Sequence, residues 1–294
     1  MRRVGWLLSG MLVLWTGLAL ARVPEVPRFR SIGVAEGLPA TGVNAIVRDR
    51  AGYIWIATTD GLARYDGIGF RVWRNEPGNP QSLPGNNVQA LHVDARDRVW
   101  IATESGGLSM LGPQRREFTH YRMDQRPEIG SDDTWAIASR GDEVWFGTYA
   151  GGVHRLAGDG TISRFMPVDD GAGLPSPTVL SMSFDARGTL WVGTMRGLAR
   201  WDGNGFERVD LPGAKAPMVF SLSLEGDALW VGTSTGVFRR NPAGRWVSPS
   251  WSPMFTMPNA MQALVRDRQG QFWIGSQRGL WRVRGDGIPV PVHG

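Results

Sequence analysis

The chain has 294 residues, 42% of them hydrophobic, which is enough for a sizeable core. It has no cysteine, which excludes disulfides, thiolate metal sites and cysteine catalysis. Its net charge of +5, from 32 basic and 27 acidic residues, is scattered without a basic stripe, so nucleic acid is not an expected partner.

Residues 1–21 read as a secretory signal peptide. Arg2 and Arg3 precede an apolar run from Val4 to Ala21, and Ala19-Leu20-Ala21 fits cleavage after Ala21. The rival reading is an uncleaved anchor, because about 18 apolar residues can just span a bilayer. No second apolar span follows. The expected location is therefore periplasmic or secreted, with membrane attachment only if the leader is kept.

Residues 22–294 are expected to form one all-β domain. Its first candidate strand is Arg28–Ile32, whose pattern matches a later fourth strand, Phe70–Trp73. One full repeat follows. Val43–Arg48 is a short β-rich run, and Asp49-Arg-Ala-Gly52 is a hairpin turn. Tyr53–Thr58 is nearly all apolar and reads as a buried strand. Leu62–Tyr65 and Phe70–Trp73 complete a four-stranded meander.

The second strand of that repeat recurs down the chain as Trp, then a bulky apolar residue, a small residue and a hydroxyl. The six copies start at Trp55, Trp100, Trp145, Trp191, Trp230 and Trp273, with spacings of 45, 45, 46, 39 and 43 residues. This period predicts a β-propeller of six four-stranded antiparallel blades over about residues 29–284. The small residue after each inner-strand start (Ala45, Ala90, Ala136, Ser181, Ser221, Ala263) suits strands crowded round an axis. The last blade could take its fourth strand from Ile288–Val292 or from Arg28–Ile32. Two prolines make the first a poor ladder partner, so an N-terminal latch is expected.

The opening repeat is similar to the two-component regulator propeller repeats of bacterial sensors. The residues that carry the likeness are Glu36-Gly-Leu-Pro39, Val43-Asn-Ala-Ile46, Ile54-Trp-Ile-Ala-Thr58, Asp60-Gly-Leu62 and Arg64-Tyr-Asp-Gly67. The resemblance implies an extracytoplasmic sensing region of a histidine kinase or diguanylate cyclase, some members of which sense carbohydrates. Such propellers usually have seven blades and further domains. Six copies here imply either a stand-alone propeller or an N-terminal piece. The resemblance supplies no ligand residues.

No catalytic, cofactor or metal site emerges from the motifs. Gly232-Thr-Ser-Thr-Gly236 matches a nucleophile elbow only formally, since it falls in a strand turn and only His293 follows it. His92, His120, His154 and His293 lack metal-ligand spacing, and Asp132-Asp133 and Asp169-Asp170 lack the rhythm of a calcium loop. The repeated tryptophans read as core. In an up-and-down meander, the loop leading into the first strand and the turn between strands two and three share one face, around the channel mouth. That face would carry Asn44, Asp60, Asn87, Gln89, Glu104, Asp133, Trp135, Tyr149, Arg196, Asn259 and Arg278. Amides, a few charges and two aromatics suit a small polar ligand such as a glycan. The leading expectation is a non-enzymatic sensor input that passes its signal to a partner or downstream protein. The alternatives are a lyase similar to the streptogramin lyases, with His92 as a candidate base, and a protein-interaction propeller.

Overall fold

In the computed structural model, which describes residues 29–168, 173–283 and 287–292, the Trp segment is the second strand of a four-stranded antiparallel sheet six times over. The six sheets stand in a ring as the blades of a β-propeller. Blade one is Val43–Arg48, Ile54–Thr58, Gly61–Tyr65 and Phe70–Trp73, close to the sequence expectation. The inner strands of the other blades are Val88–Val93, Thr134–Arg140, Val179–Phe184, Val219–Glu225 and Met261–Arg266. Apart from strands there are two short 3-10 turns, Val34–Glu36 and Ser252–Phe255, among the described residues. The signal-peptide reading, Asp169-Asp170 and His293 lie outside the described residues.

Each position of the Trp segment has its own task. The indole N–H of Trp55 donates to Asp49 at 2.8 Å, and Trp100 does the same to Asp94 at 2.7 Å. Trp191 and Trp273 repeat the bond to Asp185 and Asp267, and Trp230 uses Glu225. The second oxygen of Asp94 accepts the backbone N–H groups of Arg96 and Arg98 at 2.9 and 3.0 Å. One carboxylate thus closes the first turn and anchors the ring beside it. The hydroxyl position closes the second turn, with Thr58 donating to the Gly61 carbonyl at 2.8 Å. Gly61 itself has φ +125°, and a Cβ there would lie 2.7 Å from the Trp73 carbonyl. The small position makes room for the next blade: a Cβ on Gly147 would fall 2.2 Å from Val179.

Blade three departs from this scheme. Its first turn is shortened to Gly141-Asp142, Asp142 pairs with Arg96 instead, and the Trp145 indole N–H is buried without a partner. The same blade buries His154 completely. The ring stacks on Phe146 at 4.7 Å, and its Nε2 accepts the Gly130 N–H at 3.1 Å. Burial, with Arg164 nearby, pushes the His154 pKa down to about 4.

Hydrophobic clusters join successive blades. Trp55 of blade one packs with Leu83, Val88, Leu91 and Ile101, and the pattern repeats at the junctions two–three, three–four, four–five and five–six. Among the described residues no such cluster joins blade six to blade one. The positions that would form it stay in solvent. Val43 and Ile46 are 41% and 62% exposed, against 0% and 8% for Val88 and Leu91 at the same places in blade two. Across the seam Val265 is 62% exposed and Trp273 only half-buried.

The expected N-terminal latch is not what completes blade six. Residues 29–33 lie outside any strand, and the fourth strand is Val290–Pro291, paired with Gly279–Val283. The prolines do not prevent it, because of parity. Val292 donates its N–H to the Leu280 carbonyl at 2.8 Å. Side alternation along a strand then turns positions 289 and 291 outward, so both missing donors fall on the unpaired edge.

Two outcomes are expected. Asp94→Ala leaves a buried indole N–H and two turn N–H groups unpaired and destabilises by about 2–4 kcal/mol, measured by urea unfolding, while Asp159→Ala in an exposed turn changes far less. Acid weakens the fold in two stages. His154 is held neutral when folded, so its contribution is complete above pH 6.5 and falls by roughly 3 kcal/mol as pH drops to about 4. Burial also lowers the pKa of His92 and His120, which adds to the same slope. Asp94 then acts below its ordinary 3.8: burial opposes its charge, but the bonds from Trp100 and Arg98 outweigh it and lower the pKa, so this stability is lost as pH falls through the folded value. Thermal melts from pH 7 to 4 should show the first stage, and His154→Gln should flatten it.

Candidate functional site

A β-bulge in every inner strand builds the rim of the channel. In blade one Val43 pairs with Thr58 and Ala45 with Ala57, which leaves Asn44 as the extra residue. The same count leaves Gln89, Trp135, Leu180, Phe220 and Gln262 in the other blades. A bulge bends the strand and re-aims one side chain. The fold therefore presents one variable residue per blade at an equivalent place. On one side these residues are amides (Asn44, Gln89, Gln262). On the other they are large and apolar (Trp135, Leu180, Phe220). The incoming loops and second turns do share this face, since the Gly61, Gly107 and Gly152 N–H groups donate to the carbonyls of Asn86, Asp132 and Pro177 in the next blade's incoming loop, at 2.7–2.8 Å.

Nine of the eleven sequence-selected residues fall into three groups. One is a connected patch across blades one and two. The Asn44 amide donates to the Val88 carbonyl at 2.8 Å and to Asn87 at 3.2 Å, while Asn87 and Gln89 both donate to Glu104. A second is the aromatic pair Trp135 and Tyr149, with ring centroids 5.7 Å apart. Tyr149 is 48% exposed, and the Trp135 indole N–H is buried without a hydrogen-bond partner.

The third group is spent on the fold itself. Asp133 accepts the Ser105 N–H at 2.6 Å and its hydroxyl at 3.1 Å, across blades two and three. Asp60 accepts from Arg74 at 3.2 Å and from Asn86 at 3.3 Å. Asn259 is buried, donates to the Met254 carbonyl at 2.8 Å and accepts the Arg278 N–H at 3.1 Å, so its amide is spent inside the fold. Arg196 and Arg278 are exposed turn residues apart from both patches' bonds. Sequence reasoning left Leu180 and Phe220 out of the rim. Their alignment with Asn44 and Trp135 was visible, but the bulge that re-aims them was not.

His92 sits in an inner strand with Nε2 2.7 Å from the Ser139 hydroxyl, and burial lowers its pKa. Among the described residues no three His, Asp or Glu side chains are grouped to hold a metal ion. No helix among them is long and apolar enough to cross a membrane.

A ring of six antiparallel four-stranded sheets with a loop-built rim defines a β-propeller domain. Three of its stretches, residues 37–60, 82–105 and 173–196, match the family described as two component regulator propeller. A curated relative, Histidine kinase P4 of Formosa agariphila, is 39% identical over 49 residues, which is 17% of this chain and 4% of the relative. Among solved structures the chain is similar to the extracellular domain of BT4673 from B. thetaiotaomicron, described as a one component system. The TM-score is 0.68 at 23% identity, covering 85% of this chain and 33% of that one. It is similar also to virginiamycin B lyase from Staphylococcus aureus, with TM-score 0.64 at 16% identity and coverage of 86% and 85%. At those identities the likeness is one of fold. The chain spans about a third of the length of the first of these structures.

The bonds separate rim side chains that the fold uses from those it does not. Asp133→Ala should destabilise the fold by about 1–3 kcal/mol in denaturant titration through loss of both Ser105 bonds, whereas Arg278→Ala, which contributes only its backbone to Asn259, should be within about 0.5 kcal/mol of the parent.

Proposed function

We propose that this propeller is the ligand-sensing input of an extracytoplasmic signalling protein, located in the periplasm or outside the cell, that binds a polar uncharged ligand, a glycan, at the channel rim. The single observation that carries the reading is the two-sided ring of bulge residues. Trp135, with Tyr149 beside it, offers aromatic faces to the C–H surface of a sugar ring. Asn44, Asn87, Gln89 and Glu104 form a polar patch able to meet hydroxyl groups. The repeat type and the likeness to an extracellular domain of a signalling protein support the sensor reading. Binding would bridge blades one to three, and the signal would pass to a partner protein as altered packing of those blades.

The test is titration with neutral oligosaccharides, followed by tryptophan fluorescence and thermal shift. A saturable response is expected, and Trp135→Ala should weaken it by about tenfold, equivalent to about 1.4 kcal/mol of ring contact. No shift with any neutral oligosaccharide would overturn the glycan reading.

A further inference from the structure

Blade five departs from the common repeat in three places, and the departures meet around one cavity. Its indole acceptor is Glu225, five residues before Trp230, where Asp stands six before Trp55, Trp100, Trp191 and Trp273. Its fourth strand is only Trp246–Val247, two residues against four in Phe70–Trp73. The segment that follows folds into the 3-10 turn Ser252–Phe255 and stacks Trp251 on Trp230 at 5.9 Å and 12°. Between these and Arg266, Phe272 and Val283 of blade six lies a cavity of about 370 Å³, within the range of small-molecule sites.

The charges in it do not balance. Glu225 accepts from the Trp230 indole at 3.0 Å and from Arg266 at 2.6 Å, and Arg239 stands 3.8 Å away. One carboxylate thus faces two guanidinium groups. Each guanidinium is held over an aromatic ring, Arg239 at 5.3 Å from the Trp230 centroid and Arg266 at 5.5 Å from that of Phe272. The Arg239 Nε is buried without a hydrogen-bond partner. Two guanidinium groups sharing one carboxylate, beside aromatic and aliphatic walls, are the complement of a carboxylate attached to a flat apolar ring. Blades one and two also set one arginine on the turn carboxylate and over the tryptophan, Arg115 on Asp49 and Arg98 on Asp94; blade five differs in setting two, Arg239 and Arg266, on a single carboxylate.

We propose that the cavity between blades five and six binds a small organic carboxylate carrying a flat ring. Its carboxylate sits on Arg239 and Arg266, and its ring lies against Phe272 and Val283. This site is separate from the channel rim and stands whether or not the rim binds a glycan.

Benzoate is the probe, with benzyl alcohol as its neutral analogue and sulfate as a bare anion, and the readout is intrinsic tryptophan fluorescence of the full chain. Benzoate should give a saturable change that benzyl alcohol gives about tenfold more weakly or not at all, because the charge pair is lost. Arg239→Ala should remove the response. Val247→Trp, opposite Arg239 in the ladder, fills the cavity while keeping both arginines and should remove it too, which keeps the test decisive if the arginine variant unfolds. No saturable response to benzoate overturns the proposal. So does an equal response to benzyl alcohol, a response that survives Val247→Trp, or sulfate binding as tightly as benzoate, which would mark a site for inorganic anions.

Discussion

Five of the six blades are built on the bond between a tryptophan indole and the carboxylate in the turn before it. The carboxylate satisfies the turn's backbone donors with one oxygen and the indole with the other. It therefore sets the hairpin and the ring orientation together. Once the ring is set, its faces are what the next blade packs on, and each buried indole removes roughly 200 Å² of largely apolar surface from water, about 5 kcal/mol before entropy. A neutral acceptor in the turn would bind the indole less well, since a charged acceptor makes the stronger bond. Blade three shows what the repeat tolerates. It keeps the tryptophan buried but leaves its donor empty.

Much of this architecture is legible in the sequence, and the gaps have physical causes. The spacing of the Trp segments gives the blade count, because a strand that is buried on both sides must be nearly all apolar and stands out from its turns. The first-turn Asp residues are equally visible, yet an Asp before Gly reads as an ordinary turn residue, and nothing local says that its second oxygen faces a ring six residues on. The bulges are invisible for a related reason. Asn44 and Leu180 share a position but not a chemistry, and only the ladder register shows both as the residue left over. The blade-six ending is a matter of parity. Pro289 and Pro291 look disqualifying until the Val292 bond to Leu280 shows which side of the strand they occupy.

The rim residues show how one polar vocabulary serves two ends. Asp133 and Asn259 were selected by the same reasoning as Asn44 and Trp135, since all are polar or aromatic residues on loops at one face. Partner count tells them apart. Asn259 has both ends of its amide occupied by backbone groups, while the Trp135 indole has none. Polar residues at a blade junction first serve the junction, and only groups left over are free for other contacts.

The open seam has a consequence for how the chain folds. Every apolar junction among the described residues joins sequence-adjacent repeats, so none requires the chain to close a loop much longer than one repeat. Loop-closure entropy grows with length, and a contact between blades one and six would be the most expensive in the molecule. Among the described residues the apolar junctions are those of a linear array, in which blades add one after another and the ends fray first. Folding can start at any interior pair and spread in both directions. The stiffest part of such an array is its middle, where blade three holds both the buried His154 and the aromatic half of the rim.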